Sequence, residues 1–121
     1  MNATREILIV SPFVTKKRTF QMAKNLKIAY ANNVKVIIVT RPAEEYKEKD
    51  LNTWQEAIDE LKSSGVTVIL KSNIHQKFVL IDQKIIWYGS INLLSFGSAK
   101  ESMMRIVSQG IASELIESIK L

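Results

Sequence analysis

The stretch NIHQKFVLIDQKIIWYGSINLL, residues 73–94, decides how this chain is read. Two strand-like runs, KFVLI and KIIWYG, stand either side of Asp82-Gln83, a connection so short that the chain must reverse there. That pattern predicts an antiparallel hairpin. The same stretch holds the single histidine, His75, with Lys77 two places later and Gly89-Ser90-Ile91-Asn92 on the far side.

Upstream of the hairpin the texture is different. EILIV, residues 6–10, is an apolar run stopped by Ser11-Pro12, as expected of a buried strand. A helix follows, capped by Thr15, with Phe20, Ala23, Leu26, Lys27 and Tyr30 along one side and Asn32-Asn33 at its end. VKVIIVT, 34–40, is β-branched and closed by Arg41-Pro42, which fits a buried parallel strand. AEEYKEKD, 43–50, reads as a solvated loop before a helix over 51–63, whose Leu51, Trp54, Ala57, Ile58 and Leu61 keep the helical period up to Gly65. VTVIL, 66–70, is the next strand. Strand, helix, strand, helix, strand implies parallel pairing with right-handed crossovers.

Downstream, LLSFGSAK (93–100) reads as a loop, ESMMRIV (101–107) as a last strand and IASELIESIKL (111–121) as a closing amphipathic helix after Gly110. The expected fold class is therefore α/β: a mixed, mainly parallel sheet flanked by helices. Residues 1–121 form one domain with no repeat or linker.

Composition narrows the chemistry. The 121 residues contain no cysteine and one histidine, which removes disulfides, thiolate catalysis and Cys- or His-rich metal sites. Carboxylates such as Asp50 and Asp59 form no convergent cluster for a magnesium nuclease. Seventeen Lys and Arg against twelve Asp and Glu leave a formal charge of +5, a bias toward anionic partners. No run approaches the roughly 18 apolar residues of a membrane span, and the amino-terminal apolar block is too short for a signal-peptide core. A cytoplasmic protein without a cofactor is expected.

Alternate strand residues share a face, which groups His75 with Lys77 and groups Tyr88 with Ser90 and Asn92. If Asp82-Gln83 is a two-residue turn, Ile81 pairs with Lys84, Lys77 with Tyr88 and His75 with Ser90. Four polar side chains, His75, Lys77, Ser90 and Asn92, then meet on one surface, with Phe78, Leu80 and Trp87 on the other. Asp82 faces away at the turn, which gives it a structural role. Gly89 leaves room for close approach of backbone or substrate.

Written as His75-x-Lys77, four residues, Asp82, six residues, Gly89-Ser90-x-Asn92, the stretch resembles the HxKx4Dx6GSxN signature of the phospholipase D superfamily, complete at all six positions. The order of elements before it, SPFVT after the first strand and ESMMRI near the end are also similar to that superfamily's α/β domain. The resemblance implies a phospholipase D-like α/β/α sandwich, with Glu101 as the downstream acid that holds the histidine ring. Superfamily domains usually begin with further residues before EILIV, so a piece of a larger protein is expected. A single motif copy implies a homodimer, as in metal-independent nucleases and in domains attached to helicases or restriction enzymes.

The chemistry of phosphodiester cleavage suits these residue types. Lys77, Ser90 and Asn92 supply positive charge and donors for non-bridging oxygens, and His75 attacks phosphorus to form a phosphohistidine. A second acid must protonate the departing oxygen, and in a two-fold dimer His75 of the partner subunit would do so. Lys16, Lys17 and Arg18 stand at the start of a helix, where unhelpful placement against the dipole points to a phosphate-binding use, with Arg41 extending the patch. No segment has the broad apolar face of a lipid-inserting helix. Nucleic acid, DNA or RNA, is therefore expected over phospholipid. The alternatives are a phospholipid phosphodiesterase and a non-catalytic dimerising or nucleic-acid-binding module of a larger enzyme.

Overall fold

The computed structural model describes residues 5–89 and 103–119. Strand β1 (Glu6–Val10) leads into helix α1 (Lys16–Ala31), then β2 (Lys35–Thr40), α2 (Leu51–Ser63), β3 (Thr67–Leu70), β4 (Phe78–Ile81), β5 (Ile85–Gly89), β6 (Met103–Val107) and α3 (Gln109–Ile119). They build one sheet in the order β3-β2-β1-β4-β5-β6. Pairings β1·β2 and β2·β3 are parallel, whereas β1·β4, β4·β5 and β5·β6 are antiparallel. The α/β class and the mixed sheet expected from the sequence are observed, but the sheet is not mainly parallel: three of the five described pairings are antiparallel, because β4, β5 and β6 follow one another without a crossover helix.

Side-chain alternation sorts the core into two layers. Ile9, Ile38 and Val79 pack with Leu26 of α1 and with Trp54, Ala57, Ile58 and Leu61 of α2. Leu8, Val10, Val39, Phe78, Leu80 and Ile86 pack with Ala112 and Ile119 of α3. Ile38 is fully buried, as a central parallel strand covered on both faces requires.

Local signals explain the element ends. Thr15 caps α1 by accepting from the Arg18 N–H at 3.3 Å. Ser108 performs the same service for α3, its Oγ accepting from the Ile111 N–H at 3.1 Å, so that helix begins ahead of Gly110. Gly65 has φ +89°, and a Cβ there would run into the Tyr30 ring.

Several expectations need correction. Helix α1 buries Thr19, Ala23 and Leu26, while Phe20 and Tyr30 are exposed, because the sheet takes the helix one residue further round than its aromatic residues imply. The supposed loop 43–50 winds into two short 3-10 turns, Ala43–Glu45 and Glu48–Asp50. The 93–100 loop lies outside the described residues, and the last strand is described from Met103.

Candidate active site

His75 and Lys77 lie just before β4, in a segment that is not itself strand. Because Val10 pairs with Phe78, this segment emerges at the carboxyl end of β1, beside the carboxyl end of β2. That end of an α/β sheet is the usual place for a site, since the loops leaving parallel strands converge there. Gly89, at the end of β5, pairs with Met103, at the start of β6, so the chain leaves and rejoins the described fold at this same end. Ser90, Asn92 and Glu101 lie outside the described residues.

The approach to His75 is anchored from β2. Both carboxylate oxygens of Glu45 accept from the Asn73 N–H at 3.2 Å, at a residue whose φ is +61°. Arg41 Nε donates to the Ile74 carbonyl at 2.7 Å, and its Nη2 lies 2.8 Å from His75 Nδ1. Arg41 also pairs with Glu45 at 3.7 Å and lies over the Phe13 ring at 4.7 Å. A guanidinium has donors only, so Nδ1 is the acceptor in this contact, and a neutral ring carries its proton on Nε2. The exposed imidazole is thereby held through Nδ1, with the proton of the neutral ring on Nε2.

Alternation continues ahead of β4 although the ladder does not. Ile74 and Phe78 are buried against α3's side of the sheet, and Gln76 donates to Ser118 Oγ of α3 at 3.3 Å. His75, between them, meets Arg41 instead. Lys77, two residues on, is half-buried.

The hairpin register differs from the expected one by a residue. Asp82 and Gln83 both have positive φ, 55° and 54°, and the Lys84 N–H donates to the Ile81 carbonyl, so the chain does turn at these two residues. Yet Ile81 pairs with Ile85, not with Lys84. Lys84 is the extra residue, and its carbonyl accepts from the Ser108 N–H at the neighbouring strand. Consequently Tyr88 opposes Phe78 rather than Lys77, and their rings stack at 6.3 Å. Trp87 moves too: it pairs with Val79 and packs in the α1/α2 layer, away from Phe78 and Leu80. The expected pairing of His75 with Ser90 falls partly on undescribed residues.

Asp82 sits at the opposite end of β4 from His75. Its Oδ1 accepts from the Arg5 and Glu6 N–H groups at 2.7 and 2.8 Å, joining the hairpin turn to the start of β1.

The basic residues divide. Lys16, Lys17 and Arg18 occupy the first turn of α1, with no acidic residue in that turn. Lys16 pairs with Glu56 of α2 at 2.6 Å, and Arg18 Nη1 donates to Gln21 at 3.4 Å. Arg41, expected to extend an exposed patch, is turned inward with its side chain 15% exposed.

Sequence reasoning missed Glu45, Phe13 and Tyr46. The Tyr46 hydroxyl accepts from the Val14 N–H at 2.9 Å, and its ring meets Phe13 edge-on at 5.7 Å and Trp54 at 6.1 Å. Burial pushes the Tyr46 phenol above its ordinary value of 10.0, against hydrogen bonding from Val14 and Thr40 and the nearby Arg41 charge, which pull it down. A readable signal was the four-residue spacing of Arg41 and Glu45, obscured because Glu45 falls in a charge run that looks solvated.

Among the described residues no group of three or more His, Cys, Asp or Glu could hold a metal ion, and no helix is long and apolar enough to cross a membrane. A histidine held at the strand ends, with a lysine two residues on, is the described part of the sequence motif, together with Asp82 and Gly89. The sequence matches the family described as "Cardiolipin synthase, PLD-like domain" over residues 1–120, and the chain belongs to that phospholipase D-like family. No curated protein matches the chain. Family membership carries phosphodiesterase-type activity in general.

Proposed function

We propose that the protein is a metal-independent phosphodiesterase acting on DNA or RNA through a phosphohistidine, in a site completed by a second copy of the chain. The observation that carries this reading is the tethering of the His75 segment by Arg41, through the Ile74 carbonyl, at the carboxyl ends of β1 and β2, with Lys77 two residues on. His75 Nε2 attacks phosphorus, the bond to the leaving oxygen breaks, and His75 of the partner subunit gives that oxygen a proton. Water then attacks phosphorus, loses its proton to the partner's His75 and frees the histidine. Lys77, Ser90 and Asn92 serve the non-bridging oxygens.

The Arg41 contact fits neither role as it stands, because the protonating ring is an imidazolium with a proton on each nitrogen, and its Nδ1 cannot then accept from a guanidinium. Attack by Nε2 needs the other tautomer. In both copies Nδ1 must therefore exchange Arg41 for an acceptor, the place that the superfamily pattern gives to Glu101. The basic first turn of α1 supports an anionic polymer as substrate.

A second reading, a phospholipid phosphodiesterase, is favoured by the family description, which names cardiolipin synthase. Hydrolysis of bis(p-nitrophenyl) phosphate, single-stranded DNA and phosphatidylglycerol, each in the presence of EDTA, separates these readings. The proposal expects turnover of the first two and none by His75→Ala. Turnover of the lipid alone would assign the site to phospholipids, and equal rates for wild type and His75→Ala would leave a non-catalytic module. Sedimentation of the active species as a monomer would remove the shared site.

A further inference from the structure

The Arg41 guanidinium carries its N–H donors in one plane, and its contacts use only part of that plane. Nε donates to the Ile74 carbonyl at 2.7 Å, and Nη2 lies 2.8 Å from His75 Nδ1. Nη1 makes no hydrogen bond among the described residues, yet it is not among their buried unpaired atoms, so it meets solvent. The charge is also loosely matched. Glu45, the carboxylate that pairs with Arg41, stands 3.7 Å from Nε and turns both oxygens to the Asn73 N–H.

A guanidinium with an open edge is a receptor for an oxyanion, because Nη1 and Nη2 together match two oxygens of a phosphate. The anion that arrives at His75 in the proposed reaction is a phosphodiester, with two non-bridging oxygens. Its arrival also removes an obstacle, since His75 Nδ1 must give up Arg41 before the ring can act in either role. A ligand that binds the guanidinium better when Nη2 has left the imidazole shifts the group to that position.

We propose that Arg41 is the phosphodiester receptor of this site, and that a non-bridging oxygen takes Nη2 from His75 Nδ1 as the substrate binds. Nε keeps the Ile74 carbonyl, so the histidine segment stays tethered while its ring is released. The inference rests on the phosphodiesterase reading for its ligand. It adds a residue that the signature does not contain, and it makes substrate binding the event that frees the ring.

The chain has one histidine, so nitrogen NMR of an isotopically labelled ring reads His75 alone. Dimethyl phosphate, a diester without a good leaving group, is titrated in EDTA at constant ionic strength and about pH 8.5, where an ordinary imidazole is neutral. Saturation is expected to move the ring from the Nε2–H toward the Nδ1–H form. Arg41→Lys should weaken the anion roughly tenfold, because an ammonium has no fork. Glu45→Gln should tighten it about threefold by removing the opposing charge, a gain that misfolding cannot imitate. Binding that neither substitution changes, or that leaves the tautomer where it was, overturns the proposal. So does a ring already in the Nδ1–H form without the anion. A thymidine dinucleotide and glycerophosphoglycerol, each in place of dimethyl phosphate, tell a nucleic-acid backbone from a lipid headgroup; binding of either with the same tautomer change supports the receptor. Hydrolysis of bis(p-nitrophenyl) phosphate with no anion bound at Arg41 removes the receptor and keeps the proposed function. A bound anion and a switched ring without hydrolysis keep the receptor and remove the function.

Discussion

Arg41 and His75 are 34 residues apart in sequence and 2.8 Å apart in space, guanidinium Nη2 to imidazole Nδ1. Arg41 also donates to the Ile74 carbonyl, which makes it a positioning residue for the segment that carries His75 in the proposed reaction. Arg41→Ala is expected to lower kcat roughly tenfold or more, because that segment loses its tether to the end of β2. Arg41→Lys should restore little, since one ammonium cannot reach both His75 and the Ile74 carbonyl as the planar fork does. Nitrogen NMR of the ring should show the tautomer preference weakening in both variants. A rate increase in Arg41→Ala would instead identify the contact as a brake.

Asp82, a member of the recognised motif, meets Arg5 and Glu6 at the far end of β4 from His75. Asp82→Ala removes both acceptor contacts and places a residue less tolerant of left-handed backbone at φ +55°. The thermal midpoint should fall, with a loss of about 1–2 kcal/mol. Asp82→Asn keeps an acceptor and tolerates the backbone, so it should lose less. Equal losses would show that the carboxylate charge, not the geometry, matters.

Gly65 turns the chain into β3 at φ +89° beneath the Tyr30 ring. Gly65→Ala should destabilise by about 1–3 kcal/mol in a denaturant titration. Adding Tyr30→Ala should recover only the steric share, because the backbone strain stays.

Thr19 is fully buried in α1, and its Oγ1 has no partner. Thr19→Val replaces a desolvated hydroxyl with a methyl of similar shape. Stability should rise by about 1 kcal/mol, read as a higher denaturant midpoint. A clear loss would reveal an acceptor for that hydroxyl.

Tyr46 gives a pH dependence of known sign. Burial raises its phenol, so above pH 10.0 the unfolded chain releases this proton while the folded chain still holds it. The folded state then binds more protons, and stability falls as pH rises through that window. At neutral pH Tyr46→Phe should be less stable by about 1 kcal/mol for the lost Val14 contact. The gap between wild type and variant should narrow above pH 10.0 in parallel urea titrations; a constant gap would contradict the shift.

What the sequence by itself determined is the local and periodic part of this protein. Helix α2 ends where its apolar period and Gly65 place the ends, Thr15 caps α1, and Asp82-Gln83 turn the hairpin, because each depends on residues within a turn or two of chain. The motif naming His75 and Lys77 was equally legible, being a matter of residue types at fixed spacing. Tertiary structure decided the rest. The Ile81·Ile85 register depends on how Lys84 is accommodated beside Ser108, a partner from another strand, and the one-residue difference carries Tyr88 to Phe78 and Trp87 to the other layer. Glu45 looks like a member of a solvated charge run, and Arg41 like part of a basic patch, until β2 and the segment before β4 come together at one end of the sheet. Such contacts join residues far apart in sequence, and no periodicity records them. The sheet order alone brings them within hydrogen-bonding distance.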